Sequence, residues 1–111
     1  MDKITLLYHA RSSLAWERYL VIAESPTAGV DFVVWCPDYK GPIFVAAMDG
    51  DKVRSIPLQG LGRSKKALTR AAALKAGADK WRKEHGWKGD YRYDALWIGE
   101  DCLSHIINIK I

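Results

Sequence analysis

The sequence predicts an α+β domain: an antiparallel β-sheet of four to six strands with one long amphipathic helix packed on one face. Three observations carry the prediction. Residues 64–83 form a run of alanine, leucine and lysine whose apolar members recur at helical spacing. Several β-branched and aromatic runs, bounded by glycine, proline and aspartate, have the length of strands rather than helices. Finally, Asp49-Gly50 lies between two such runs, and this dipeptide suits a tight hairpin because its central positions favour positive φ.

A chain of 111 residues is one domain by length (1–111), large enough to bury a core without metal or disulfide staples. No run of about 18 apolar residues is present to span a membrane, and no basic-then-apolar leader opens the chain. The expected location is therefore cytoplasmic. Cys36 and Cys102 stand alone, without a Cys-x-x-Cys or histidine pair, so a buried thiol is the reading for Cys36 and no disulfide is needed.

Taken in order, Ile4 to His9 is best read as a strand, although length and periodicity alone do not separate it from a buried helical turn, and Ser12-Ser13 then breaks it. Leu14 to Ala23 is ambiguous, helical at Leu14–Arg18 and strand-like at Tyr19–Ile22; a strand over Arg18 to Glu24 is the expectation. Ser25 to Gly29 is a turn by composition, and Val30 to Cys36 a strand. Two prolines and a glycine between Pro37 and Pro42 predict irregular backbone. Ile43 to Met48 and Val53 to Leu58 would then pair across the Asp49-Gly50 turn, with Pro57 marking an edge.

The helix begins at Gly60-Leu61-Gly62-Arg63-Ser64, where Ser64 is placed to cap, and stops at His85-Gly86. On a wheel Ala67, Ala71, Leu74, Ala78 and Trp81 share the core face, while Lys65, Lys66, Thr69, Arg70, Lys80 and Lys83 share most of the other. Beyond it, Trp87 to Tyr93 reads as an aromatic loop, Ala95 to Ile98 as a strand cut off by Gly99-Glu100-Asp101, and His105 to Ile111 as a last strand. Core packing is the plainer account of the loop aromatics; Trp87, Tyr91, Arg92 and Tyr93 also have the interleaving of a base-stacking platform.

Charge is concentrated in the helix. Residues 63–83 hold eight Lys or Arg against one acid, a net of +7 in a chain whose total is +4. A localised positive potential attracts polyanions, although solvated helix faces are commonly charged as well. A glycine-rich turn that leads into a helix and is followed at once by Lys65 and Lys66 adds backbone N–H groups suited to phosphate.

Gly60-x-Gly62-Arg63-Ser64-Lys65-Lys66, with Ala71-Ala72-Ala73 and Ala76 after it, resembles the start of the second helix of the double-stranded RNA-binding domain. In that family Asp31–Cys36, Ile43–Met48 and Val53–Leu58 would be the three strands before the helix. The resemblance implies that Lys65 and Lys66 contact phosphates across a major groove. Thr69 departs from it, standing where a third lysine is usual.

Catalytic patterns are missing. His9, His85 and His105 have no metal-ligand spacing, and there is no nucleophile elbow, Walker or dinucleotide sequence. Asp38, Asp49 and Asp51 could hold Mg²⁺, but turn geometry is the ordinary reason for such acids. The expectation is a non-enzymatic protein without cofactor or metal. The first reading is a nucleic-acid-binding module that contacts duplex RNA or DNA through Arg63, Ser64, Lys65, Lys66, Arg70 and Lys80. The second is a small factor, an inhibitor or assembly subunit, docking on an acidic protein partner.

Overall fold

The computed structural model describes residues 1–52, 57 and 61–111. The fold is α+β, and among the described residues it has a five-stranded sheet in the order β1-β2-β3-β4-β5 and two long helices. Helix α1 spans Lys3–Trp16, β1 Leu20–Thr27, β2 Val30–Cys36, β3 Tyr39–Asp49, α2 Lys65–His85, β4 Arg92–Ile98 and β5 Leu103–Ile106.

The first element corrects the sequence expectation. Residues 4–9 are helical, and Ser12-Ser13 lies inside the helix rather than ending it. The Asp2 carboxylate caps the helix by accepting from the Thr5 amide, and Leu6, Ala10 and Leu14 recur at intervals of four to form the buried stripe. The outer face obscured that period, because Ile4, Tyr8 and Trp16 are apolar yet exposed, Trp16 by 86%. Arg18, at φ 67°, turns the chain out of the helix while the Tyr19 amide donates to the Leu14 carbonyl.

Strands β1, β2 and β3 form an antiparallel meander. Val30 to Cys36 is a strand as expected, and Arg18 to Glu24 falls largely within β1. The turn between them is narrower than its composition suggested, since β1 runs on through Ser25 and Pro26 to Thr27. An edge strand tolerates this: a register shift between Glu24 and Thr27, with Ser25 at φ 47°, takes up the residues that cannot join the ladder. Likewise β3 begins at Tyr39 and includes Gly41 and Pro42, with a shift opposite Val34–Cys36 absorbing them.

The sheet is mostly antiparallel but not wholly so. Helix α2 carries the chain back across it, and β4 therefore joins β3 in parallel, with Ile43 opposite Arg92 and Asp49 opposite Ile98. Asp49-Gly50 opens a short 3-10 turn over Gly50–Lys52 instead of a hairpin, and both sides of β3 are taken by β2 and β4. The expected strand Val53 to Leu58 lies, apart from Pro57, outside the described residues. The last strand is shorter than predicted; past β5 the Ile109 amide donates to the Tyr93 carbonyl and Ile109 itself is buried.

Two cores flank the sheet. On one side Leu74, Ala78 and Trp81 of α2 pack with Val33, Phe44, Ala95 and Trp97; on the other Leu6, Ala10 and Leu14 of α1 pack with Phe32, Val45 and Leu96. The single predicted helix is thus one of two, on opposite faces. Helix α2 also sits tightly on the β1–β2 turn. A Cβ at Gly29 (φ 91°) would run into the Ala73 carbonyl, and one at Gly77 into the Ala28 carbonyl. Thr27 seals the contact, its hydroxyl donating to the Gly77 carbonyl at 2.9 Å.

Candidate nucleic-acid interface

The start of α2 is built as its sequence indicates. The Ser64 Oγ accepts from the Ala67 amide at 3.0 Å, and at the far end Gly86 takes the left-handed conformation with φ 60°. Arg82, Lys83 and His85 lie in the last turn, the favourable end of the helix dipole for cations.

Of the six predicted site residues, the structure brings three together as open cations. Arg63, Lys65 and Lys66 are exposed, and none has an acidic partner among the described residues. Ser64 shares their surface, but its oxygen is engaged as the cap. Arg70 turns the other way, toward the β1–β2 turn. Its guanidinium pairs with Asp31 at 2.8 Å and donates to the Gly29 carbonyl. Asp31, almost fully buried, also accepts from Lys3 at 2.9 Å and from the Ala47 amide at 2.8 Å. That carboxylate therefore ties both helices to the sheet, and Arg70 is part of the tie. Lys80 stands about 22 Å along the axis from Lys65 at 1.5 Å per residue. It faces Glu84 at 4.0 Å, while Arg82 pairs with Asp79.

Lys75 and Lys110 extend the open set in a direction the helical wheel did not show. Together with Arg63 they rim a groove of about 560 Å³ whose walls are Leu61, Leu68, Ala71, Ala72 and Ile111. Neither lysine has an acidic partner among the described residues, and from Leu61 to Ala78 the sequence contains no acid at all. Lys110 was out of reach of sequence reasoning because only the tertiary fold carries residues 107–111 back beside α2. Lys75 was countable as charge, but its place beside an apolar groove depends on Leu68 and Ala72 facing outward.

The aromatic rings of the 87–93 segment make contacts within the fold, with Tyr91 also exposed. Trp87 packs edge-on against Trp35 and donates its Nε1 hydrogen to the Asp90 carbonyl. Tyr91 lies beneath the Arg82 guanidinium at 3.9 Å and Tyr93 packs against Phe44. Arg92 points inward to Asp94. Each ring or charge that interleaved in sequence is engaged within the fold.

The most connected polar cluster is also closed. His105 contacts Glu17 through Nδ1 and Asp94 through Nε2, each at 2.8 Å. Asp94, fully buried, further accepts two hydrogen bonds from Arg92 and one from the Asn108 amide. Burial alone would raise the Asp94 pKa, yet the donors from His105, Arg92 and Asn108 outweigh it and hold the carboxyl below its ordinary range. Burial would lower His105, but its two carboxylate partners outweigh that and raise it. With a carboxylate facing each ring nitrogen, His105 joins the end of α1 to β4 and β5. Among the described residues no three His, Cys, Asp or Glu side chains gather to hold a metal ion, and both cysteines are unpaired. No described helix is long and apolar enough to cross a membrane.

No protein-family model matches the chain, and a comparison with curated proteins returns no significant match.

Proposed function

We propose that this protein binds the phosphate backbone of nucleic acid through the first half of α2. The observation that carries the reading is the acid-free stretch from Leu61 to Ala78, whose exposed cations Arg63, Lys65, Lys66 and Lys75 have no acidic partner among the described residues. Cations already paired gain little from a phosphate, whereas open ones at a helix start add the N-terminal dipole and release condensed counterions from the polyanion. The resemblance of Gly60 to Ala76 to the second helix of the double-stranded RNA-binding domain favours duplex RNA over duplex DNA. Contacts of this type position the protein without reading bases, so the preference is for shape and strandedness.

The test is a mobility-shift titration with duplex RNA, duplex DNA and single strands at two salt concentrations. The expected result is retardation of duplexes that weakens with salt; no retardation of any of these probes at low salt removes the proposal.

A further inference from the structure

The groove beside α2 has a composition that phosphate binding does not explain. Leu68 projects from the helix with 61% of its surface exposed, and Ala72 and Ala76 follow it at intervals of four on the solvent side. Leu61 and Ile111 continue the apolar wall. A surface meant only for a sugar–phosphate chain has no use for an exposed leucine, and among the described residues no aromatic ring lines the groove for bases to stack on. Among the described residues its rim is charged in one sense: Arg63, Lys75 and Lys110 border it and no acidic side chain does.

An apolar trough between cations is complementary to a helix that is apolar on one side and acidic on the others. From Leu68 to Lys75 the wall runs two helical turns, about 10 Å at 1.5 Å per residue, enough to seat anchors spaced i, i+3 or i+4, and i+7. The alanines at 72 and 76 leave room for a second helix to approach closely. We infer that the groove lined by Leu61, Leu68, Ala72 and Ile111 docks an acidic amphipathic helix of a partner protein, its carboxylates meeting Arg63, Lys75 and Lys110. The inference stands apart from the nucleic-acid reading but shares Arg63 and Lys75 with it. Peptide and polyanion therefore compete for the same protein.

The experiment uses a fluorescent synthetic peptide of about eighteen residues, long enough for helix to form. It carries leucines at i, i+3, i+4 and i+7 and aspartate or glutamate at most other positions. A control peptide has the same composition in scrambled order. Fluorescence anisotropy with the full chain is expected to show binding of the patterned peptide at least about tenfold tighter than the scrambled one, the equivalent of about 1.4 kcal/mol. Leu68→Asp puts a carboxylate on an exposed position of the apolar wall and removes that preference, while Lys65→Ala leaves it. Equal binding of the two peptides, or a preference that survives Leu68→Asp, overturns the inference. The uncharged Leu68→Ser separates apolar wall from charge: should it weaken duplex RNA binding as much as peptide binding, the groove belongs to the nucleic-acid surface and the peptide proposal falls. Weaker RNA binding in Lys65→Ala with the peptide preference intact separates failure of one reading from failure of the other.

Discussion

Replacing His105 with alanine tests the physical account of the clasp between α1 and the far edge of the sheet. The ring is 7% exposed and makes two charge-assisted hydrogen bonds, to Asp94 and Glu17. Hydrogen bonds to charged groups contribute roughly 1.5–3 kcal/mol each. The Glu17 bond is discounted because that carboxylate is one-third exposed and can turn to water. After substitution Asp94 keeps Arg92 and the Asn108 amide, so it is not left bare. The expected loss is about 2–3 kcal/mol near neutral pH. Asp94→Ala should cost more, about 3–5 kcal/mol, because it leaves the buried Arg92 guanidinium without its carboxylate and His105 with Glu17 alone. The pH dependence has a definite sign. His105 has a folded-state pKa raised above its ordinary 6.5, so its contribution is complete below that value and fades as pH rises through the folded pKa. Asp94 is the opposite case: its pKa lies below the ordinary 3.8, so its contribution is present above that value and fades as pH falls through the folded pKa. Urea unfolding followed by tryptophan fluorescence, at about pH 6 and about pH 9, should show the gap between wild type and His105→Ala narrowing at the higher pH. A gap that stays constant would refute a raised His105 pKa in the folded protein.

Gly77→Ala would stabilise an unhindered helix by about 1 kcal/mol through propensity. Here the added methyl meets the Ala28 carbonyl, so thermal unfolding should show a loss instead of a gain. Arg70→Ala should lower stability by about 2 kcal/mol, since it takes one charged donor from buried Asp31 while Lys3 and the Ala47 amide remain. Its nucleic-acid salt slope should stay at the wild-type value, which a phosphate-contacting Arg70 would not allow. Ser64→Ala should cost about 1 kcal/mol in urea unfolding by removing the cap of α2, with duplex affinity changed less than by Lys65→Ala.

Much of the fold was legible where one physical signal dominated. Helix α2 was readable from Ser64 to Gly86 because cap, periodicity and left-handed stop agree, and β2 because Phe32, Val33, Val34 and Trp35 make a strand-forming run between turns. Helix α1 was not, since its exposed Ile4, Tyr8 and Trp16 hid the period of Leu6, Ala10 and Leu14. The parallel pairing of β3 with β4 is a long-range property that no local pattern encodes. At the site, Arg63, Lys65 and Lys66 were visible as charge beside a glycine-rich turn. Arg70 looked equivalent to them on a wheel, yet a buried carboxylate at position 31, 39 residues away, claims it. The rim lysine at 110 and the outward leucine at 68 acquire meaning only when the chain end returns to the helix.

The measurement nearest the central proposal is the affinity for a short RNA duplex as a function of salt, in wild type and in Lys65→Ala/Lys66→Ala. With about four phosphates neutralised, log affinity should fall against log salt with a slope of about −3 to −4, and the double variant should flatten it by about 2. A slope unaltered by removing both lysines would contradict the assignment of α2 as the phosphate-binding element.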